Sequence, residues 1–218
     1  MKNYRGYHNY NIREKIHNDA LFILQRTLDG YASYEVTVNG TKNTDVLLYQ
    51  KWDADGEAYK IVGYPEDIER GNLIVHDNET WLIATKPETN RVYRKAEMKL
   101  CTAVFPIVTK GTEVLLGYDD IGRPVYEYTN DTAVNVPCVV KMNDASTAIA
   151  DTNKAANLLD NQVMVTIPYQ ESPSIEYNER FELYRDTYRI IRINPADSIN
   201  GVGILHITGE RVGSSGED

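Results

Sequence analysis

Four histidines, two cysteines and 32 acidic residues are the side chains with which this chain could do chemistry, and their spacing limits what that chemistry is. Acid–base catalysis needs two carboxylates, or a histidine and a carboxylate, held in one pocket. His8, His17, His76 and His206 fall in an arm, a helix, a turn and a strand, and no two share a metal-ligand spacing. Asp53 and Asp55 before Gly56 resemble the start of a calcium loop, but the further oxygen ligands and closing Glu do not follow, so a tight hairpin turn is expected. Cys101 and Cys138 stand in strand-like stretches outside any CxxC pair and read as buried thiols acting as small hydrophobes. Gly201-Val-Gly203 lacks the third glycine and following helix of a dinucleotide fingerprint. No G-x-S-x-G, P-loop or H-E-x-x-H occurs. The expectation is therefore no catalytic, cofactor-binding or metal-binding residue: not an enzyme, and no cofactor. The catalytic alternative is a hydrolase using Glu69 and Glu176, but these fall at matching positions of a repeat, which explains the pair without chemistry.

Around these residues the periodicity marks out the elements. Ile12, Ile16, Ala20, Ile23, Leu24 and Leu28 recur every three or four positions, which predicts a helix over residues 11–28 whose apolar face is buried on the body or on a neighbour. Asn11 with Glu14 has capping-box spacing, and Gly30 supplies a stop. After Gly30 the period becomes two. Short alternating runs at Tyr34–Val38, Val46–Tyr49, Tyr59–Val62, Ile68–Ile74, Thr80–Ile83 and Ala96–Leu100 are joined by turns such as Asn39-Gly40 and Asp77-Asn78. The order then repeats: Tyr126–Tyr128, Val136–Met142 and Gln162–Ile167 parallel the first strands, and Ile68–Cys101 matches Ile175–Thr208 without a gap at an offset of 107 positions. The fold class expected is mainly β, an N-terminal helix followed by two small antiparallel β-barrel or β-sandwich modules, with that offset suggesting duplication. The divisions read as an arm and helix over 1–33, a first β module over 34–105, a connecting hairpin over 106–124, a second β module over 125–212 and a flexible tail over 213–218.

Composition narrows the function classes. A net charge of −9 argues against gripping nucleic acid by its phosphates, which needs clustered Lys and Arg. The opening MKNYRGYHNYNIREK has no apolar secretion run and no stretch would span a bilayer, so a protein made and kept soluble in a cytoplasm is expected, with no membrane partner. Sixteen tyrosines against three Phe and two Trp lean toward wet, specific contact surfaces. The candidate interface is Tyr4, Tyr7 and Tyr10 of the arm, Leu21 and Phe22 of the helix, and Val114, Leu115 and Leu116 of the hairpin. A β-sandwich module binding carbohydrate or a host surface through Trp52, Trp81 and the tyrosines is the competing reading.

Ile68-Glu-Arg-Gly-Asn-Leu-Ile-Val-His-Asp-Asn-Glu-Thr-Trp-Leu-Ile83, followed by Tyr93-Arg-Lys-Ala-Glu-Met-Lys-Leu-Cys101, resembles minor structural proteins from phages of Gram-positive bacteria. There a strand pair of the form I..GDLI…G.TWLI precedes a strand ending in cysteine; Asn72 departs from it where an acid is expected. The resemblance implies a virion protein of the head–tail connection, a head-completion or neck component. Copies of such a protein form a ring between the portal or adaptor protein and the tail proteins, and DNA passes through the channel without sequence-specific binding.

Overall fold

The computed structural model describes residues 11–50, 58–109, 113–118, 121, 123–128, 132–142 and 161–212. The chain divides between Leu100 and Cys101 into two compact units, each with its own core.

The first unit is a closed barrel. Its strands are β1 (Tyr34–Val38), β2 (Lys42–Gln50), β3 (Ala58–Gly63), β4 (Leu73–His76), β5 (Glu79–Ile83), the short β6 (Glu88–Thr89) and β7 (Arg94–Leu100). Neighbours run β3-β2-β1-β4-β5-β7, and β3 also pairs with β7, so the sheet meets itself and leaves no open edge among these six. Alternation explains the closure: Val36, Val38, Val46, Ile61, Ile74, Trp81, Ile83 and Met98 all turn inward and are buried together. The Asn39-Gly40 turn has φ of 51° and 69°, the left-handed pair that a two-residue hairpin demands, and Asp77-Asn78 repeats it at 50° and 64°. Asp67 of the β3–β4 loop is buried and accepts hydrogen bonds from Lys42 Nζ and from Thr44 Oγ1 (2.9 Å), which fasten that loop to β2.

The second unit has the same plan. Its strands are β8 (Ala103–Thr109), β9 (Glu113–Tyr118), β10 (Pro124–Tyr128), β11 (Thr132–Met142), β12 (Gln162–Pro168), β13 (Arg180–Leu183), β14 (Asp186–Asn194), the short β15 (Ser198–Ile199) and β16 (Val202–Arg211). Neighbours run β8-β11-β12-β16-β14-β13, position for position the order of the first barrel, with β15 beside β16 as β6 is beside β7. Phe105 of β8 meets Phe181 of β13 at 5.0 Å between ring centroids, and Val108 N donates to Ser174 Oγ (3.1 Å) across the same seam. The β8 strand thus belongs to the second sheet, where it pairs with β11. The expected boundary at 105, with a hairpin over 106–124, cuts through this strand, because an alternating run does not tell which sheet it will join.

The repeat extends to single hydrogen bonds. Gly71 N donates to Ile83 O and Ile83 N to Asn72 O, both 2.9 Å; at the offset of 107, Asn178 N donates to Ile190 O and Ile190 N to Glu179 O, again both 2.9 Å. Gly71 and Asn178 share a positive φ, 92° and 70°. Beyond that point the gapless match fails. Trp81 pairs with Leu100 but Tyr188 pairs with Arg211, so the second hairpin is four residues longer. The equivalents of Met98 and Leu100 are Gly209 and Arg211, not Leu205 and Ile207. Alternation conceals a slip of four, since an even shift keeps every side chain on its face.

Ahead of the first barrel, α1 (Ile12–Leu28) starts where Asn11 Oδ1 accepts from Arg13 N (3.2 Å). Leu24 and Leu28 are buried against Leu47 and Val92, with Ala20, Leu21, Val62 and Tyr64 packed around them. The expected single buried face is split: Ile12, Ile16 and Ile23 are exposed. At about 100° per residue they lie within roughly 40° of one another and roughly 80–160° from Leu24 and Leu28, so the helix carries two apolar stripes and its barrel covers one.

Candidate functional site

The structure makes one constellation that linear spacing could not show. His206 Nε2 lies 3.0 Å from Asp197 Oδ2, and Thr166 Oγ1 lies 2.9 Å from His206 Nδ1. An acid, an imidazole and a hydroxyl in a row are the parts of a nucleophile relay. Thr166, however, is buried in the barrel wall, 7% exposed. The chain of contacts ties the loop before β15 to β16 and β12. Elsewhere His76 packs edge-on to Tyr34 at 5.0 Å, and His17 lies exposed on α1. His8, Trp52, Asp53 and Asp55 lie outside the described residues, among which no cluster of three metal-ligating side chains occurs. Trp81, a proposed stacking platform for glycans, is buried and edge-on to Tyr59 at 4.9 Å inside the first barrel.

The cysteines are both free. Cys138 is fully buried and Cys101 half-buried, and burial pushes each thiol up to about 12. Iodoacetamide at pH 8 is therefore expected to leave both unmodified in the folded chain and to alkylate both in denaturant, since the thiolate is the nucleophile. The sign for stability follows. Above the unfolded thiol value of about 8.5 the unfolded chain loses protons that the folded chain keeps until about 12, so stability falls as pH rises through that window. Alkylation of Cys138 in the native protein would contradict this placement.

The candidate interface resolves into separate parts. Tyr4, Tyr7 and Tyr10 lie outside the described residues. Leu21 turns toward the barrel and is part of the packing that holds α1 down, whereas Phe22 is 59% exposed with the Arg26 guanidinium 5.6 Å from its ring centre. Leu115 and Leu116 are exposed on β9; Val114 lies in the same strand, its side chain outside the described residues. Among the described residues, β9 and β10 pair with each other and with no strand of the barrel sheet. Tyr126 pairs with Leu115 and Val125 with Gly117, so Leu116 is the extra residue of a bulge. Ile121, Val125 and Tyr126 are exposed beside the two leucines.

Duplication shows what this hairpin is. In the first barrel the equivalent strands β1 and β2 are joined by the tight turn at Asn39-Gly40, whereas in the second an entire apolar ribbon is inserted between β8 and β11. A two-stranded ribbon by itself is at best marginal in water. Its exposed apolar side chains thus lie on a segment for which the first barrel has no equivalent.

Two tandem six-stranded antiparallel barrels, one carrying an exposed apolar hairpin and the other a helix with an exposed apolar stripe, define a duplicated small-barrel protein. The chain belongs to the YomX family, matching the YomX N-terminal domain over residues 6–100 and the YomX C-terminal domain over residues 103–210. It is similar to the SPbeta prophage-derived protein YomX of Bacillus subtilis (strain 168), at 30% identity over 213 residues that cover 97% of each chain. No solved structure matches it. The kinship is with a prophage-derived protein, and among the described residues no helix is long and apolar enough to cross a membrane.

Proposed function

We propose that this chain is a non-enzymatic structural protein of a phage particle, a component of the head–tail connection whose copies form a ring around the DNA channel. The observation that carries this reading is the inserted hairpin, which presents Leu115, Leu116, Ile121, Val125 and Tyr126 to solvent where the sister barrel has only a turn. Prophage kinship supplies the phage context. The exposed stripe of α1 provides a second, different contact, and two unlike patches on one chain are what a head-to-tail ring requires, because each copy must offer a donor and an acceptor surface. The remaining contacts of the ring are with a portal or adaptor protein and with tail proteins. The net charge of −9 suits a wall past which DNA moves without adhering.

Quantitative mass spectrometry of purified particles tests the role. The chain is expected at a fixed small-integer ratio to the portal protein. Its absence from intact particles would overturn the structural reading.

A further inference from the structure

The second barrel holds an open cleft of about 480 Å³, within the size range of ligand pockets, lined by Tyr169, Gln170, Glu171, Ile175, Glu176 and Leu205 among others. The first barrel shows what belongs there. Arg94 pairs with Gly63 across β7 and β3, and Leu205 pairs with Ile167 across β16 and β12. Counted down the strands from the pairs Trp81 with Leu100 and Tyr188 with Arg211, Arg94 and Leu205 occupy the same rung. In the first barrel Arg94 Nη1 donates to Glu69 Oε1 (3.2 Å) and to the Ile68 carbonyl (3.4 Å). The second barrel keeps the isoleucine and the acid as Ile175 and Glu176, but puts Leu205 in place of the arginine and opens the cleft beside them.

We infer that this cleft receives an arginine from outside, and that the donor is Arg5 in the N-terminal segment of a second copy of this chain. Residues 1–10 carry Lys2, Arg5 and His8 and no acid, while Glu171 and Glu176 face the cleft. Tyr169 donates its hydroxyl to Glu171 Oε1 (2.9 Å), which holds that carboxylate in place at the rim. The aliphatic stem of an arginine fits the apolar floor of Ile175 and Leu205, and its planar fork fits carboxylates. Gln170 Nε2 is buried with no hydrogen-bond partner among the described residues, a donor suited to a carbonyl of the entering peptide. The second-copy assignment rests on the self-assembly proposed above.

The test titrates a labelled peptide of residues 1–10 with the full chain carrying Arg5→Ala, so that its own segment does not compete. Saturable binding is expected, weakened at least tenfold by Glu176→Gln in the protein or by Arg5→Ala in the peptide. No binding, equal binding to the Glu176→Gln protein, or equal binding of a scrambled peptide would overturn the assignment. In a mixture of light and isotopically heavy wild-type chains, carbodiimide links from Lys2 to Glu171 or Glu176 are expected in mixed-isotope pairs; same-isotope links alone would return the segment to its own chain and refute the second copy. The titration does not depend on particle copy number, so failure of the connector reading and failure of this one are separate results.

Discussion

Replacing the cross-strand pair Leu115 and Tyr126 by Glu and Lys is expected to leave the barrels as stable as before while lowering incorporation into particles by about a hundredfold or more. The charges are opposite, so the ribbon keeps a favourable pair across its strands. What is lost is the apolar surface offered to a neighbour. Burying each such side chain contributes about 1.5–3 kcal/mol, and the two together account for a factor of that order. Stability should move by no more than about 0.5 kcal/mol, since both positions are exposed and outside the cores. Thermal melts of the purified chain and its yield in particles give the two readings. Normal copy number with the double variant would show that the hairpin is not the contact.

Phe181→Ala is expected to destabilise the second barrel by about 3–5 kcal/mol. Phe181 is buried between Phe105 and Tyr188, at 5.0 and 5.6 Å between ring centroids, across the one seam of that barrel without a paired ladder. Gly209 leaves room for it: a Cβ there would lie 2.6 Å from the ring's Cζ. Truncation therefore opens a cavity and loosens the closure together. Both tryptophans, Trp52 and Trp81, belong to the first unit, so their fluorescence reports that barrel while far-UV circular dichroism reports both. Separate cores predict a dichroism transition that splits, with the fluorescence midpoint unmoved. A fluorescence midpoint that falls in step would mean the units unfold as one.

Much of the architecture was legible in local pattern, and for definite reasons. Helix period, the Asn11 cap, the left-handed turns at Asn39-Gly40 and Asp77-Asn78 and the alternation of strands are properties of a few consecutive residues, so they survive without knowledge of the fold. Even the duplication could be seen through the matched run beginning at Ile68 and Ile175, because the loop there repeats its hydrogen bonds as well as its side chains. Membership of β8 in the second sheet, the four-residue slip before Arg211 and the splitting of the helix face could not be read this way. Each depends on which strand or patch lies alongside, and alternation is the same whichever neighbour is chosen. The Thr166–His206–Asp197 contacts join residues up to 40 positions apart, and the cleft beside Glu176 exists only because register sets Leu205 on the rung of Arg94. Types and spacing name the side chains available; strand pairing, a long-range choice, decides which of them meet and which stand open to a partner.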